Sequence, residues 1–325
     1  MTPLDARLLR ALRDTRVHLP AGDLAMQLGE SAAAIRAGIA ALSAAGFEIE
    51  DRPGLGFRLL AAPDRLIADD LTARLGPCAL IREILVFAET DSTNDLATRM
   101  GRSGTPGGVA IFAEHQTAGR GRFGRRWASA SHRGLWFSLL LRPALPLADW
   151  ARLTTWAAVA VAAAIDETVG AKAAIKWPND VFLADRKVAG ILAESGTDSL
   201  GSPFAVLGIG VNVNHEPADF PPDIRATAGS LRAVVGQPLD RPAFAAAILR
   251  ALDVRLPLLA ADFPAIISEA GARSFLLGRW IQVRAGATLC EGLAEQLDEN
   301  GHLLLRRADG SVGRLTAGEV TVIAR

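Results

Sequence analysis

Apolar residues at Leu4, Leu8, Leu9 and Leu12 recur at helical spacing and predict an amphipathic helix at the start of the chain. A second short helix is expected over Asp23–Leu28. After the turn Gly29-Glu30-Ser31, Ser31 reads as an N-cap, Ile35, Ile39 and Leu42 form one apolar stripe, and Gly46 closes a third helix. The segments FEIE and LGFRLL then flank RPG as strand, turn and strand. Two helices joined by a tight turn and followed by a hairpin predict a winged helix-turn-helix over residues 1–63, with Pro53 and Gly54 in the wing and a boundary at Ala61–Pro63.

From 65 to 275 helical patterns alternate with the apolar strands VAIFAE, LWFSLLLR, KVAGILAE and FAVLGIGVNVN, the signature of a mixed α/β domain. Over 276–325 the pattern changes to short strands, WIQVR, TLCEGLAEQL, HLLLRR and EVTVIA, separated by the turns DENG and ADGS. That spacing predicts a small β-barrel as a third domain.

Charge sharpens this picture. Lys plus Arg and Asp plus Glu are both 35, so the chain as a whole has no field that attracts nucleic acid or an anionic membrane, and any polyanion must be met locally. The apolar run around Trp156–Ile165 is too short to span a bilayer, and the charged start MTPLDARLLRALRD lacks the apolar stretch of a signal peptide, so no membrane and a cytoplasmic location are expected. Cys78 and Cys290 have neither disulfide-framework nor zinc-site spacing. Of the 35 basic residues only Lys172, Lys176 and Lys187 are lysines, so a lysine here marks a place that needs a compact ammonium rather than a planar fork.

Four segments carry candidate chemistry. GRGRFGRRW, Gly119–Trp127, joins glycines that let backbone N–H groups approach an anion to arginines that grip phosphate and an indole that offers a flat face to a base. An RG-type segment contacting RNA has a similar composition, but this one is short, single and set between buried strands, which favours a ligand lid. KWPND, Lys176–Asp180, reads as a hairpin turn that also places an ammonium, an aromatic and a carboxylate on one bend, and Lys187 follows on the next strand. DSTN, Asp91–Asn94, is either an N-cap cluster or a set of short polar groups able to hold a neutral polar ring. GIGVNVN, Gly208–Asn214, has strand glycines that mark close backbone approach and two asparagines on an apolar run that need partners. Walker A, GxSxG, HExxH and Rossmann GxGxxG motifs are absent.

Taken in order and spacing, DSTN, HQTAGRGRFGRRW, KWPNDVFLADRKVAGILAE and GIGVNVN resemble the biotin protein ligase family across essentially the whole chain, in its bifunctional ligase and biotin-operon repressor form. The resemblance implies an N-terminal winged helix-turn-helix, a central biotin/lipoate ligase-like domain of class II synthetase type, and a C-terminal SH3-like β-barrel. It implies formation of biotinyl-5′-adenylate from biotin and ATP with Mg²⁺, then transfer of biotin to a lysine of the biotin carboxyl carrier protein of acetyl-CoA carboxylase or a similar carrier domain.

Carried over by motif, the biotin site is Ser92, Thr93, Asn94, Gln116, Arg120, Gly121, Arg122 and Lys187. Arg122 and Lys187 are the catalytic pair. Arg122, Arg125, Trp127, Lys176, Asn179, Asp180 and Asn212 line the nucleotide side, with Asp180 toward Mg²⁺. Phe123 stands where relatives often place a basic residue and is given no charge role. The same resemblance implies operator DNA as a partner of the winged helix, through Ser31 and Arg36, and a homodimer when the adenylate is bound. Its recognition helix has Arg36 as its single cation, and residues 1–63 carry seven Arg against seven acidic groups, which is poor equipment for phosphate contacts. Two alternatives are a lipoate ligase-like adenylating enzyme and a non-catalytic biotin-responsive transcription factor. The GRGRxGRxW form argues against the first, and the presence of both Arg122 and Lys187 against the second.

Overall fold

The computed structural model describes residues 3–285 and 288–323. The chain forms two compact units, residues 1–78 with 240–246, and residues 79–239 with 247–325.

In the first unit, helices α1 (Pro3–Arg13), α2 (Ala21–Leu28) and α3 (Ala32–Ala44) precede the hairpin of β1 (Glu48–Arg52) and β2 (Gly56–Ala61). Leu8, Leu9 and Leu12 of α1 meet Leu24, Ile35, Ile39, Leu42, Phe47 and Phe57 in one buried core, so the apolar stripes are the faces that close it. Ser31 caps α3, its Oγ accepting from the Ala34 N–H at 3.1 Å. The unit continues past 63. Helix α4 (Ala68–Leu75) belongs to it through Asp70, a carboxylate 1 % exposed that accepts from Arg13 at 2.6 Å and Arg74 at 2.8 Å. A carboxylate taken out of water is costly unless paired, and this pairing ties α4 to α1.

The second unit is built on a seven-stranded sheet. Its elements are β3 (Glu83–Thr90), α5 (Thr93–Arg102), β4 (Val109–Gln116), β5 (Leu135–Leu141), α6 (Arg152–Val169), β6 (Ala174–Lys176), β7 (Asp180–Leu183), β8 (Arg186–Thr197) and β9 (Pro203–Val211). Helices α7 (Leu231–Val235), α8 (Arg241–Ala261) and α9 (Phe263–Ala272) follow, the start of α8 clustering with the first unit. Strand order is β3-β4-β5-β9-β8-β7-β6, with β3 and β4 parallel and every other pair antiparallel. The alanine-rich α6 packs on β6, β7 and β8, and α5 on β4, β5, β8 and β9. Strand β9 ends at Val211, so Asn212 and Asn214 lie just past the strand and not within it.

Strands β10 (Trp280–Ala285), β11 (Thr288–Leu297), β12 (Leu303–Arg306), β13 (Val312–Leu315) and β14 (Glu319–Val322) form a second, antiparallel sheet of order β13-β12-β11-β10-β14. Leu276, Ile281, Val283, Ala294, Leu303, Leu305 and Val320 fill its core. Strands β13 and β14 are its edges, so the SH3-like element is not closed by a ladder among the described residues. The final residue of the expected EVTVIA strand, Ala324, lies outside the described residues. No helix of the described residues is long and apolar enough to cross a membrane.

Candidate active site

Cross-strand register lays out the floor of the site. One row of paired residues runs Trp136 (β5), Gly210 (β9), Gly190 (β8), Asp180 (β7) and Lys176 (β6), and the next runs Ser138, Gly208 and Leu192. Paired residues share a face of the sheet. Lys187 pairs with Phe182, and the irregular register between Val181 and Phe182 leaves Val188 as an extra residue. That bulge brings Lys187 to the face of Asp180 and Gly190, which strict alternation denies it.

Two glycines of the floor make room for Trp127. A Cβ on Gly190 or on Gly210 would stand 2.7 Å from the indole ring. Trp127 meets Trp136 edge to face at 6.2 Å between centroids. A Cβ on Gly208 would overlap the Asn94 amide.

A cavity of about 500 Å³ opens above this floor. Ser92, Thr93, Asn94, Gln116, Arg120, Gly121, Arg122, Arg125, Trp127, Lys176, Asn179, Asp180, Lys187 and Asn212 all line it. Segments spread over more than a hundred residues of sequence therefore share one cavity. Ser31 and Arg36 lie in the other unit. Ser31 serves as the α3 cap, and Arg36 is exposed, with its guanidinium 5.8 Å from the Phe57 ring centroid.

One end of the cavity is neutral, polar and buried. Ser92, Thr93 and Asn94 are 1 %, 3 % and 4 % exposed. Ser92 caps α5, with Oγ 3.5 Å from the Asp95 N–H, as the capping reading of DSTN expects, and it also lines the cavity. The Thr93 N–H donates to Gln116 Oε1 at 2.8 Å, and Gln116 Nε2 donates to Ser129 Oγ at 3.2 Å. Ser138, fully buried, donates to Asn94 Oδ1 at 2.6 Å and lies 2.7 Å from Thr93 Oγ1. Asn94 Nδ2 donates to Glu194 Oε2 at 2.8 Å. Sequence reasoning missed Ser129, Ser138 and Glu194. The available signal was a lone hydroxyl in LWFSLLL and a lone carboxylate at the end of KVAGILAE.

The glycine-arginine loop folds on itself. The Trp127 N–H donates to the Gly119 carbonyl at 2.9 Å and the Gly121 N–H to the Arg125 carbonyl at 2.7 Å, and Phe123 projects outward, 65 % exposed. Its arginines have separate partners. Arg120 is paired with Asp95 and with Glu194. Burial opposes its charge, but these two carboxylates hold its value above the ordinary one. Arg125 pairs with Glu319 at the start of β14. Arg122 donates to Asn179 Oδ1 at 2.7 Å, and burial depresses its value, with Asp180 and Glu319 opposing.

The other end is charged. Lys187 Nζ stands 2.7 Å from Asp180 Oδ1 and 5.3 Å from the Trp127 ring centroid. Lys176 Nζ lies 5.5 Å from the Phe182 ring centroid, and burial pulls it below its ordinary value, opposed by Asp180 and reinforced by Lys187. KWPND divides between two roles, since Trp177, the aromatic of that bend, joins the core of the second sheet and donates to the Gly301 carbonyl at 2.9 Å. The asparagines found their partners. Asn212 Nδ2 donates to the Gly229 carbonyl at 3.0 Å, and Asn214 exchanges two bonds of 2.9 Å with Leu239, outside the cavity lining. The Trp127 indole N–H is buried without an acceptor among the described residues.

Residues 86–214 match the Biotin/lipoate A/B protein ligase family, and residues 6–58 match an HTH domain. The bifunctional ligase/repressor BirA of Bacillus subtilis is 32 % identical over 284 residues, spanning 87 % of each chain. The chain belongs to the biotin protein ligase family. The biotin–[acetyl-CoA-carboxylase] ligase of Mycobacterium tuberculosis is 35 % identical over 245 residues, 74 % of this chain and 88 % of that one. The Aquifex aeolicus biotin protein ligase solved with biotin and ATP superposes with a TM-score of 0.65 at 27 % identity, over 75 % of this chain and all of that one.

Proposed function

We propose that this chain is an ATP-dependent biotin protein ligase. A biotin carboxylate oxygen attacks the α-phosphorus of ATP, the bond to pyrophosphate breaks, and biotinyl-5′-adenylate forms. The amine of a carrier lysine then attacks the acyl carbon, an amide forms and AMP leaves. The observation that carries this reading is a single cavity with a buried, neutral hydrogen-bonding end and a cationic end of Arg122, Lys176 and Lys187. A ureido ring needs the first and a carboxylate meeting a triphosphate needs the second.

Ser92, Thr93, Asn94 and Gln116 hold the biotin ring, while Arg120 and Gly121 flank its chain. Arg122 and Lys187 oppose the repulsion between carboxylate and α-phosphate and stabilise the charge that builds up in transfer. Trp127, Lys176, Arg125, Asn179 and Asn212 form the nucleotide side. The folded loop keeps water from the mixed anhydride until the acceptor amine arrives.

The residues present fit a magnesium ion carried by the nucleotide. Asp180, whose Oδ1 is 2.7 Å from Lys187 Nζ, would offer its other oxygen, and no group of three acidic, His or Cys side chains gathers among the described residues, so phosphate oxygens would complete the set. When bound, the ion neutralises charge on the transferring phosphates. The carrier is a biotin carboxyl carrier domain, the working compartment is the cytoplasm that supplies ATP, and the adenylate-bound form dimerises. The decisive experiment offers ATP with biotin or with lipoate and follows pyrophosphate, then biotin on a carrier lysine. Release with lipoate alone would overturn the reading.

For the N-terminal unit we propose operator binding through α3, with Ser31 at its start and Arg36 toward the bases, as the bifunctional Bacillus subtilis relative supports. Arg7 pairs with Glu30, Arg13 with Asp70, and Arg52 and Arg58 with Glu50, which limits what they offer to phosphates. Binding is therefore expected to be only shallowly salt-dependent, each engaged phosphate adding about −0.9 to the slope of log K against log salt. A gel shift on the chain's own upstream DNA, with and without biotin and ATP, measures this. No shift at low salt leaves a ligase without a repressor function.

A further inference from the structure

We infer that Glu194 is a positioning residue that couples recognition of the biotin ring to placement of the glycine-arginine loop, an inference that rests on the ligase reading above. Glu194 lies on β8 two residues beyond Leu192, on the same face of the sheet as Gly190. Its two oxygens serve different partners. Oε2 accepts from Asn94 Nδ2 at 2.8 Å, and Oε1 accepts from Arg120 Nη2 at 2.6 Å.

Each partner is also held from its other side. Asn94 Oδ1 accepts from the buried Ser138 hydroxyl, and Arg120 pairs with Asp95. With a carboxylate at its Nδ2 and a hydroxyl at its Oδ1, the Asn94 amide has one favourable orientation, and turning it over sets its carbonyl oxygen against an anion. That orientation decides whether a neutral ring presents an acceptor or a donor to this corner of the pocket. Arg120 opens the loop that the Trp127 N–H to Gly119 carbonyl bond closes, so anchoring Arg120 anchors the segment that carries Arg122. One carboxylate therefore sets both the ring-binding amide and the loop.

Glu194→Gln is the informative change because it keeps the shape. An amide has one acceptor oxygen, and Glu194 faces two donors, so in the variant one of them meets an N–H group. With the full-length chain, the apparent KM for biotin is expected to rise about tenfold, the cost of one charge-assisted hydrogen bond. The fraction of adenylate recovered free in solution after rapid filtration rises with it, while the KM for ATP moves by less than about twofold.

Arg120→Gln leaves the Asn94 side intact and removes the loop side, its pairs with Glu194 and Asp95 together, and it too is expected to raise adenylate escape. Combined with Glu194→Gln it raises escape by less than the two single effects multiplied, because both changes break the Arg120–Glu194 pair. A Glu194→Gln chain whose biotin KM and adenylate retention stay near wild type overturns the inference, as does a parallel rise of biotin and ATP KM, the sign of general loosening. Unchanged escape in Arg120→Gln overturns it independently of how Glu194→Gln folds. A wild-type chain that releases no pyrophosphate from biotin and ATP instead overturns the ligase reading itself.

Discussion

Arg122 donates to Asn179 Oδ1 at 2.7 Å, and Asn179 donates in turn to the Ile191 carbonyl at 3.0 Å, so the guanidinium is aimed by the turn of one hairpin and the backbone of the next strand. Asn179 thus spends its amide on Arg122 and on β8, and its effect on the nucleotide side passes through Arg122. Asn179→Ala is expected to slow adenylate formation about tenfold, as a donor held in place becomes one that must be ordered during the reaction. Pyrophosphate release in single turnovers measures this. A rate equal to wild type would show that Arg122 acts without being aimed by Asn179.

Lys187→Arg should lose most adenylate formation, by about a hundredfold, the usual effect of removing one preorganised donor of charge stabilisation. Lys187 is a compact ammonium held between Asp180 and the Trp127 ring, and a planar fork is too wide for that place. Near-normal pyrophosphate release by this variant contradicts the assignment of Lys187 to the reaction.

Gly208→Ala is expected to weaken biotin binding more than ATP binding. The added methyl overlaps the Asn94 amide, whereas the glycines beneath Trp127 are untouched. Displacing Asn94 breaks its bonds to Ser138 and Glu194, at a cost of about 1–3 kcal/mol for a buried polar group left without a partner. Calorimetric titration with biotin, and separately with ATP, reads the difference.

Lys176 predicts a pH dependence. Burial lowers its value, so as pH rises it loses its charge before an ordinary lysine does. A triphosphate beside it favours the ammonium, so nucleotide binding takes up a proton in the window between the free and bound values and weakens as pH rises through it. The KM for ATP should therefore climb on the alkaline side below 10.5, the ordinary lysine value. Lys176→Met should bind ATP more weakly at neutral pH and lack that climb. Parallel profiles for the two proteins would show that Lys176 does not face the phosphates.

Much of this molecule is legible along the chain. The stripes of α1 and α3, the Ser31 cap and the turn at Pro53 and Gly54 depend on residues a few positions apart, and local sterics and hydrogen bonding decide them. The four segments that line the cavity were also legible, because glycine, arginine and scarce lysine stand out against an alanine- and leucine-rich background. What each residue does inside the cavity was decided by tertiary structure. Ser138 and Gly208 are paired across β5 and β9, Glu194 reaches Asn94 across a hundred residues of sequence, and the bulge at Val188 carries Lys187 to the face of Asp180 and Gly190. Asp70 likewise joins α4 to the winged helix although it follows the expected linker. The sequence by itself determined which elements form and which chemical groups are available. Strand register and the pairing of buried polar groups such as Asn94, Glu194 and Asp70 determined which groups meet, because both depend on how distant segments pack.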